Sequence, residues 1–281
     1  MEIREFAEGI LFSPSLTAKL DVFPDRFTDD DPGSPRDIQK PARPAELEFS
    51  DARRGARMPH PTALGEPRLR AVAHHIMANH ELQALEVMAW CLLRFPGAPK
   101  EFRRGLVRIM RDEQRHTRLH VRRLEALGLR FGDRTVNGYV WKKTRNYGSV
   151  LDYLAGLPLT FESGNLDHTL FFAERFDAVG DRQGADLFRA IHHDEIEHVA
   201  FGIRWLRELK DPNLSDWEAY LAHLHFPLRP AYAKGDPFHR EPREQSGMTK
   251  EYVDALERAS ADWLSKEEAS DVAVKEPRSQ C

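Results

Sequence analysis

The sequence predicts an all-α protein whose centre is a four-helix bundle with one long crossover. Three observations carry this expectation. Apolar residues recur at three- and four-residue spacing from Pro67 to about Lys210. Two helical hairpins within that stretch repeat one pattern, a glutamate on the first helix and Glu-x-x-His on the second. Two of the three connections are short, while segment 129–148 shows no clear period and is long enough to cross the bundle.

The elements follow in order. Residues 1–20 read as one short helix through Ile3, Phe6, Ala7, Ile10 and Leu11. Residues 21–66 are rich in Pro, Asp and Arg and read as an extended arm lying on the body, so 1–66 forms one organisational block. The bundle occupies 67–211. Its first helix runs from Arg68 to Phe95 and ends at Pro96-Gly97. The second runs from Lys100 to Leu127, with Gly128 as the stop. The third runs from Ser149 to Val179, with Pro158 as a kink or a late start. The fourth runs from Arg182 to Lys210 and ends at Asp211-Pro212. The extension 212–281 carries short helices at 215–225 and 249–266 and a frayed final dozen residues.

The composition excludes several classes. A chain of 281 residues, 41% hydrophobic and 31% charged, builds one sizeable core with a well-solvated surface. Its formal net charge of -4 is small for that length. The two cysteines, Cys91 and Cys281, build neither a disulfide framework nor a thiolate zinc site, and a reducing, cytoplasmic setting is expected. The N-terminus does not read as a signal peptide, and no run is long and apolar enough to span a membrane.

The chemistry lies on the apolar stripes. Helix two reads Phe102, Leu106, Ile109, Glu113, His116, His120, Leu124, so its inward face carries a glutamate and two histidines at the centre. Helix four reads Phe188, Ile191, Glu195, His198, Gly202, Trp205. Glu113 and His116 share a helix face, as do Glu195 and His198, and each pair can grip one ion. The preceding helices carry Glu81 and Glu162 on their own stripes, 32 positions before Glu113 and 33 before Glu195. Four inward carboxylates repel one another, and each buried ion costs several kcal/mol. Two divalent cations cancel about four such charges, and a nitrogen and oxygen ligand set suits iron or manganese. A single Glu-x-x-His is usually a solvated pair; two, each preceded by an inward Glu at nearly equal distance, point to a metal site.

Asp112-Glu113-Gln114-Arg115-His116 resembles the Asp-Glu-x-Arg-His motif of the ferritin-like di-iron carboxylate superfamily, as in acyl-carrier desaturases and bacterial multicomponent monooxygenases. Most of the chain resembles an uncharacterised bacterial ferritin-like family more closely. The matching stretches are His80 to Glu86, Phe226-Pro227-Leu228-Arg229-Pro230 and Ala233-Lys234-Gly235. The resemblance implies a ferritin-like fold and two iron ions, with manganese as the alternative. Glu113 and Glu195 would bridge the ions; Glu81 and His116 would complete one site, Glu162 and His198 the other. Asp112 and Asp194 would accept from the imidazole N–H groups, unless they sit exposed one step off the stripe. Arg115 would clamp Asp112, whereas Glu197 occupies the equivalent place in the second half.

Other residues stand further from the site. His120 reads as a hydrogen-bonded core histidine, or else as a polar group facing substrate. Glu86 and Asp167 read as exposed or as supporting the ligands, and His192 and His193 as helix surface. Arg229, Lys234 and Arg243 would help the C-terminal segment shape a pocket. The arginines of helix two read as a solvated back spread round much of its circumference, with an RNA surface as the sharper reading.

The expected function is a dioxygen-activating di-iron oxidoreductase, a hydroxylase or oxidase of a small-molecule substrate, supplied by an electron donor. A loose resemblance to the tRNA-modifying di-iron hydroxylase keeps tRNA as an alternative. Ferroxidase or peroxide handling, as in ferritins and rubrerythrins, is a further alternative that the missing Cys-x-x-Cys disfavours. A metal-stabilised interaction protein without turnover is the third. Oligomeric state is left open.

Overall fold

Pro14 divides what the periodicity presents as one N-terminal helix. In a computed structural model, which describes residues 1–21, 23–50 and 56–259, α1 spans Ile3–Phe12 and α2 spans Leu16–Asp21. Proline lacks an N–H and clashes with the preceding turn, so the helix restarts beyond it. The arm follows with the two-residue strand β1 (Phe49–Ser50), and a 3-10 turn at Pro61–Ala63 leads into α3 (Pro67–Arg94). Pro67 sits in the first turn of α3, where its missing N–H costs nothing. Next come α4 (Lys100–Ala126), β2 (Val136–Asn137) and a 3-10 segment at Trp141–Asn146. Gly128 takes φ +84° just past α4, the left-handed stop expected there.

The stretch expected as the third long helix has three parts: α5 (Val150–Gly156), a π-helical segment Leu157–Glu162, and α6 (Ser163–Ala178). Pro158 lies in the widened segment, so its expected kink is a local change of helical pitch. Then follow α7 (Arg182–Leu209), α8 (Asp216–His223), α9 (Arg240–Gln245) and α10 (Lys250–Arg258). The expected extension of the last helix to 266 and the frayed tail fall outside the described residues. The described chain is all-α apart from β1 and β2, which pair in parallel. No helix among the described residues is long and apolar enough to cross a membrane.

The chain forms two compact units. Unit 1 comprises Met1–Arg145 and Phe172–Phe188. In it α3 packs along α4, and α1 packs on α3. Phe6, Phe23 and Phe27 form an edge-to-face cluster with ring centroids 5.1 to 5.7 Å apart. Arg70 and Arg123 both bind Asp181, at 2.8 and 2.6 Å. Cys91 is fully buried, and burial pushes its thiol pKa well up, so it packs as a small hydrophobe.

Unit 2 comprises Asn146–Phe171 and the chain from Arg189 onward. Its core gathers Leu159, Leu166, Val199, Ile203, Leu206, Trp217, Tyr220, Tyr252 and Leu256. Gly202 of α7 lies against the π segment; a Cβ there would sit 2.7 Å from the Cβ of Pro158. Thr160 and Tyr220 share a buried hydrogen bond of 2.9 Å.

Candidate metal centre

In unit 1, α3 places Glu81 inward and α4 places Glu113 and His116 inward; none is more than 2% exposed. His116 Nδ1 lies 3.8 Å from Glu81 Oε2 and 3.9 Å from Glu113 Oε1. Two ligand atoms each about 2.1 Å from one ion sit about 3.0 to 3.4 Å apart, so these spacings need only a small contraction to share a metal. Glu81 Oε1 is buried without a hydrogen-bond partner. Burial pushes the Glu81 pKa up, but hydrogen bonding and charge from His116, then His120, hold it below the usual carboxylate range.

His120 lies one turn beyond His116. Its Nδ1 is 2.8 Å from His74 Nδ1, and its Nε2 is 3.8 Å from Glu81 Oε1. Burial takes its pKa down to about 4. It is a hydrogen-bonded core histidine, the first of its two sequence readings. His74, which periodicity does not single out, stacks on Phe188 with centroids 5.5 Å apart.

Unit 2 holds the second set. Glu162 ends the π segment, and Glu195 and His198 share the inward face of α7; none is more than 1% exposed. His198 Nδ1 lies 3.4 Å from Glu195 Oε2. Asn165 Nδ2 donates to Glu162 Oε2 at 3.2 Å and to Glu195 Oε1 at 3.1 Å. Sequence reasoning passed over Asn165, although its place three residues after Glu162 puts it on the same face.

The residues expected around the ligands have varied fates. Asp112 and Arg115 pair at 3.1 Å on a half-exposed part of α4. Asp194 is half-buried. Glu86 is not exposed: it is fully buried and bound by Lys19 at 3.0 Å and Arg43 at 2.6 Å. Asp167 is likewise buried and takes Arg243 and the backbone N–H groups of Gly235 and His239. Arg243 is therefore a core residue and not a pocket wall. Arg229 is half-buried, and Lys234 donates to the Glu257 carbonyl at 2.5 Å.

Unit 2 also contains an open cleft of about 620 Å³, lined among others by Leu170, Arg189, His192, Ile196, Phe238 and His239. The half-buried His192 and the exposed His193 both line this cleft. Thr169 holds His192 Nδ1 at 3.0 Å, and Asp167 holds His239 Nδ1 at 3.1 Å. The Thr169 hydroxyl donates to the Asn165 carbonyl at 2.6 Å, so it accepts from His192, whose Nε2 then carries a lone pair.

Residues 13–254 match a family described as a protein of unknown function, DUF455. The chain belongs to that family. No curated protein and no solved structure matches it. DUF455 thus supplies no reaction for this chain, and functional argument rests on the side chains. The donor set of this DUF455 chain, two carboxylates and an imidazole buried together in each unit, fits a divalent transition metal bound through nitrogen and oxygen.

Proposed function

We propose that the protein is a ferritin-like di-metal carboxylate oxidoreductase that uses dioxygen on a small-molecule substrate. In this reading Glu81, Glu113, His116, Glu162, Glu195 and His198 hold two iron ions, or iron and manganese. The observation that carries it is the duplicated set: a fully buried Glu followed by a fully buried Glu-x-x-His, once in each unit. Buried carboxylates without cations cost several kcal/mol each, and chains do not retain two such sets without compensation. When bound, the metal pair would supply the electrons and open coordination positions that dioxygen reduction requires, with an external donor restoring the electrons.

The protein's own groups do the rest. Asn165 orients Glu162 and Glu195 through its two N–H bonds. The apolar walls of the cleft, Leu170, Ile196 and Phe238, take a small organic body, and His192 and His239 offer it hydrogen-bonding nitrogens. His192 stands one turn before Glu195 on α7, which brings the cleft close to the ligand set of its own unit. The cysteine content supports a cytoplasmic setting.

The test is metal analysis of protein reconstituted anaerobically with ferrous iron, followed by oxygen uptake. About two ions per chain are expected, and fewer in Glu113→Ala or Glu195→Ala. Less than one ion in folded protein overturns the centre. Oxygen uptake that needs no organic substrate favours ferroxidase or peroxide handling. No uptake at all leaves a metal-stabilised interaction protein.

A further inference from the structure

Helix α4 carries eight arginines between Arg103 and Arg123, and the structure sorts them into two groups. Arg103 is buried against Asp29 at 2.8 Å, and Arg123 reaches Asp181 at 2.6 Å. The remaining six are Arg104, Arg108, Arg111, Arg115, Arg118 and Arg122, spaced 4-3-4-3-4. At 3.6 residues per turn they fall within about 40° of one line, whereas Arg103 and Arg123 lie about 100° to either side. Six of the eight arginines therefore form one stripe, about 27 Å long at 1.5 Å per residue, within a full set that spreads over about 200° of the circumference.

The stripe is poorly neutralised. Arg115 pairs with Asp112, and Arg118 lies 4.0 Å from Asp21. Arg104, Arg108, Arg111 and Arg122 are exposed and make no ion pair with a carboxylate among the described residues. Burial first, and then the charges of Arg122, Arg115 and Arg111 against that of Asp21, lower the pKa of Arg118. An ordinary solvated helix face intersperses both signs at three- and four-residue spacing. This face concentrates one sign in a chain whose formal net charge is -4.

We propose that the α4 stripe is a docking surface for a single-stranded nucleic acid, gripped by its phosphodiester backbone. Three features select this partner. All six cations are arginines, whose planar forks match phosphate oxygens in pairs. Four of the tips are exposed, while Arg115 and Arg118 are half-buried, with Arg118 Nη1 donating to the Leu20 carbonyl and Arg111 lying over the Phe23 ring at 4.9 Å; the row lacks the long apolar seam that a protein helix or a membrane surface needs. The row is straight, with one charge about every 5 Å, and a flexible single strand can follow all of it. A duplex strand winds away within its turn of about 34 Å. The inference is independent of the metal centre and of any reaction there.

The test uses the full chain and fluorescence anisotropy with a labelled 20-nucleotide oligo(U), from 50 to 200 mM salt. Six phosphate contacts imply a log-log salt slope of about -4, or about 300-fold weaker binding over that range. Arg104→Gln/Arg108→Gln/Arg122→Gln should melt like the wild type, because these side chains are exposed. Its slope should fall to about -2, with about 20-fold weakening. No binding at 50 mM salt, or equal binding by the variant, overturns the proposal. Tighter binding of duplex RNA, bulk tRNA or phosphatidylglycerol vesicles than of oligo(U) also overturns it.

Discussion

Asp167 and Arg243 meet in a fully buried two-armed ion pair, Nη1 to Oδ1 and Nη2 to Oδ2, both at 2.9 Å. Arg243 is also the largest side chain that the core encloses completely. Its two Nη groups also reach the carbonyls of Ser163, Ala233 and His239, so α6 and the segment before α9 are bolted together inside unit 2. In unit 1, Glu86 and Arg43 stand in the same relation, with Lys19 as a second cation. Each of these carboxylates lies five residues after a proposed ligand glutamate. Each is held by an arginine from outside the four long helices.

Breaking such a pair leaves one buried charge alone. Arg243→Met is expected to destabilise the protein by about 3–5 kcal/mol, read as a shift in the urea midpoint at constant slope. The double variant Arg243→Met/Asp167→Leu should recover part of that loss, since no charge is then left unpaired. A double variant weaker than the single one would show that the backbone bonds to Asp167 matter more than the charge pair.

Asn165 should act on metal affinity before it acts on the fold. Its amide is half-buried and donates to Glu162 and Glu195. Asn165→Ala is expected to weaken metal binding about 10- to 100-fold, the usual range for a group that orients ligands. Competition with a chelator measures the loss, and apo-protein melting is the control. Unchanged affinity would mean that packing alone holds the two glutamates.

Gly202 tests the π segment. An added Cβ would meet Pro158 Cβ at 2.7 Å and Leu159 Cδ2 at 3.2 Å. Proline's ring cannot swing aside, so Gly202→Ala is expected to cost about 1–3 kcal/mol of overpacking. The gain that alanine brings to an exposed helix, about 1 kcal/mol, should not appear here. A thermal melt that rises in Gly202→Ala would refute this close approach.

Asp152 sets an acid limit. Burial pushes its pKa up, but hydrogen bonds from His223 and His225 and the cap with Ser149 outweigh that and hold it well below the usual range. Its contribution is therefore complete above the unfolded value of about 3.9 and fades as pH falls through the lower folded value. Asp152→Asn should lower stability down to about pH 4, and the gap to wild type should close below that. Urea midpoints across this range measure it; a gap that closes already above pH 5 would contradict the assignment.

The four long helices, the stop at Gly128 and the two Glu plus Glu-x-x-His sets were legible in the sequence, because a helix face is a local property. Residues three and four apart share a side whatever the rest of the chain does. The arginine spacing on α4 was equally present, but Arg103 and Arg123 blurred it. Only the tertiary structure removes them from the row, through Asp29 and Asp181, which lie 74 and 58 positions away. The same distance in sequence hid the burial of Glu86 and Asp167, whose arginine partners stand 43 and 76 positions off. Helical period says which way a carboxylate points; whether it meets water or a cation depends on segments that reach it only after the chain has folded.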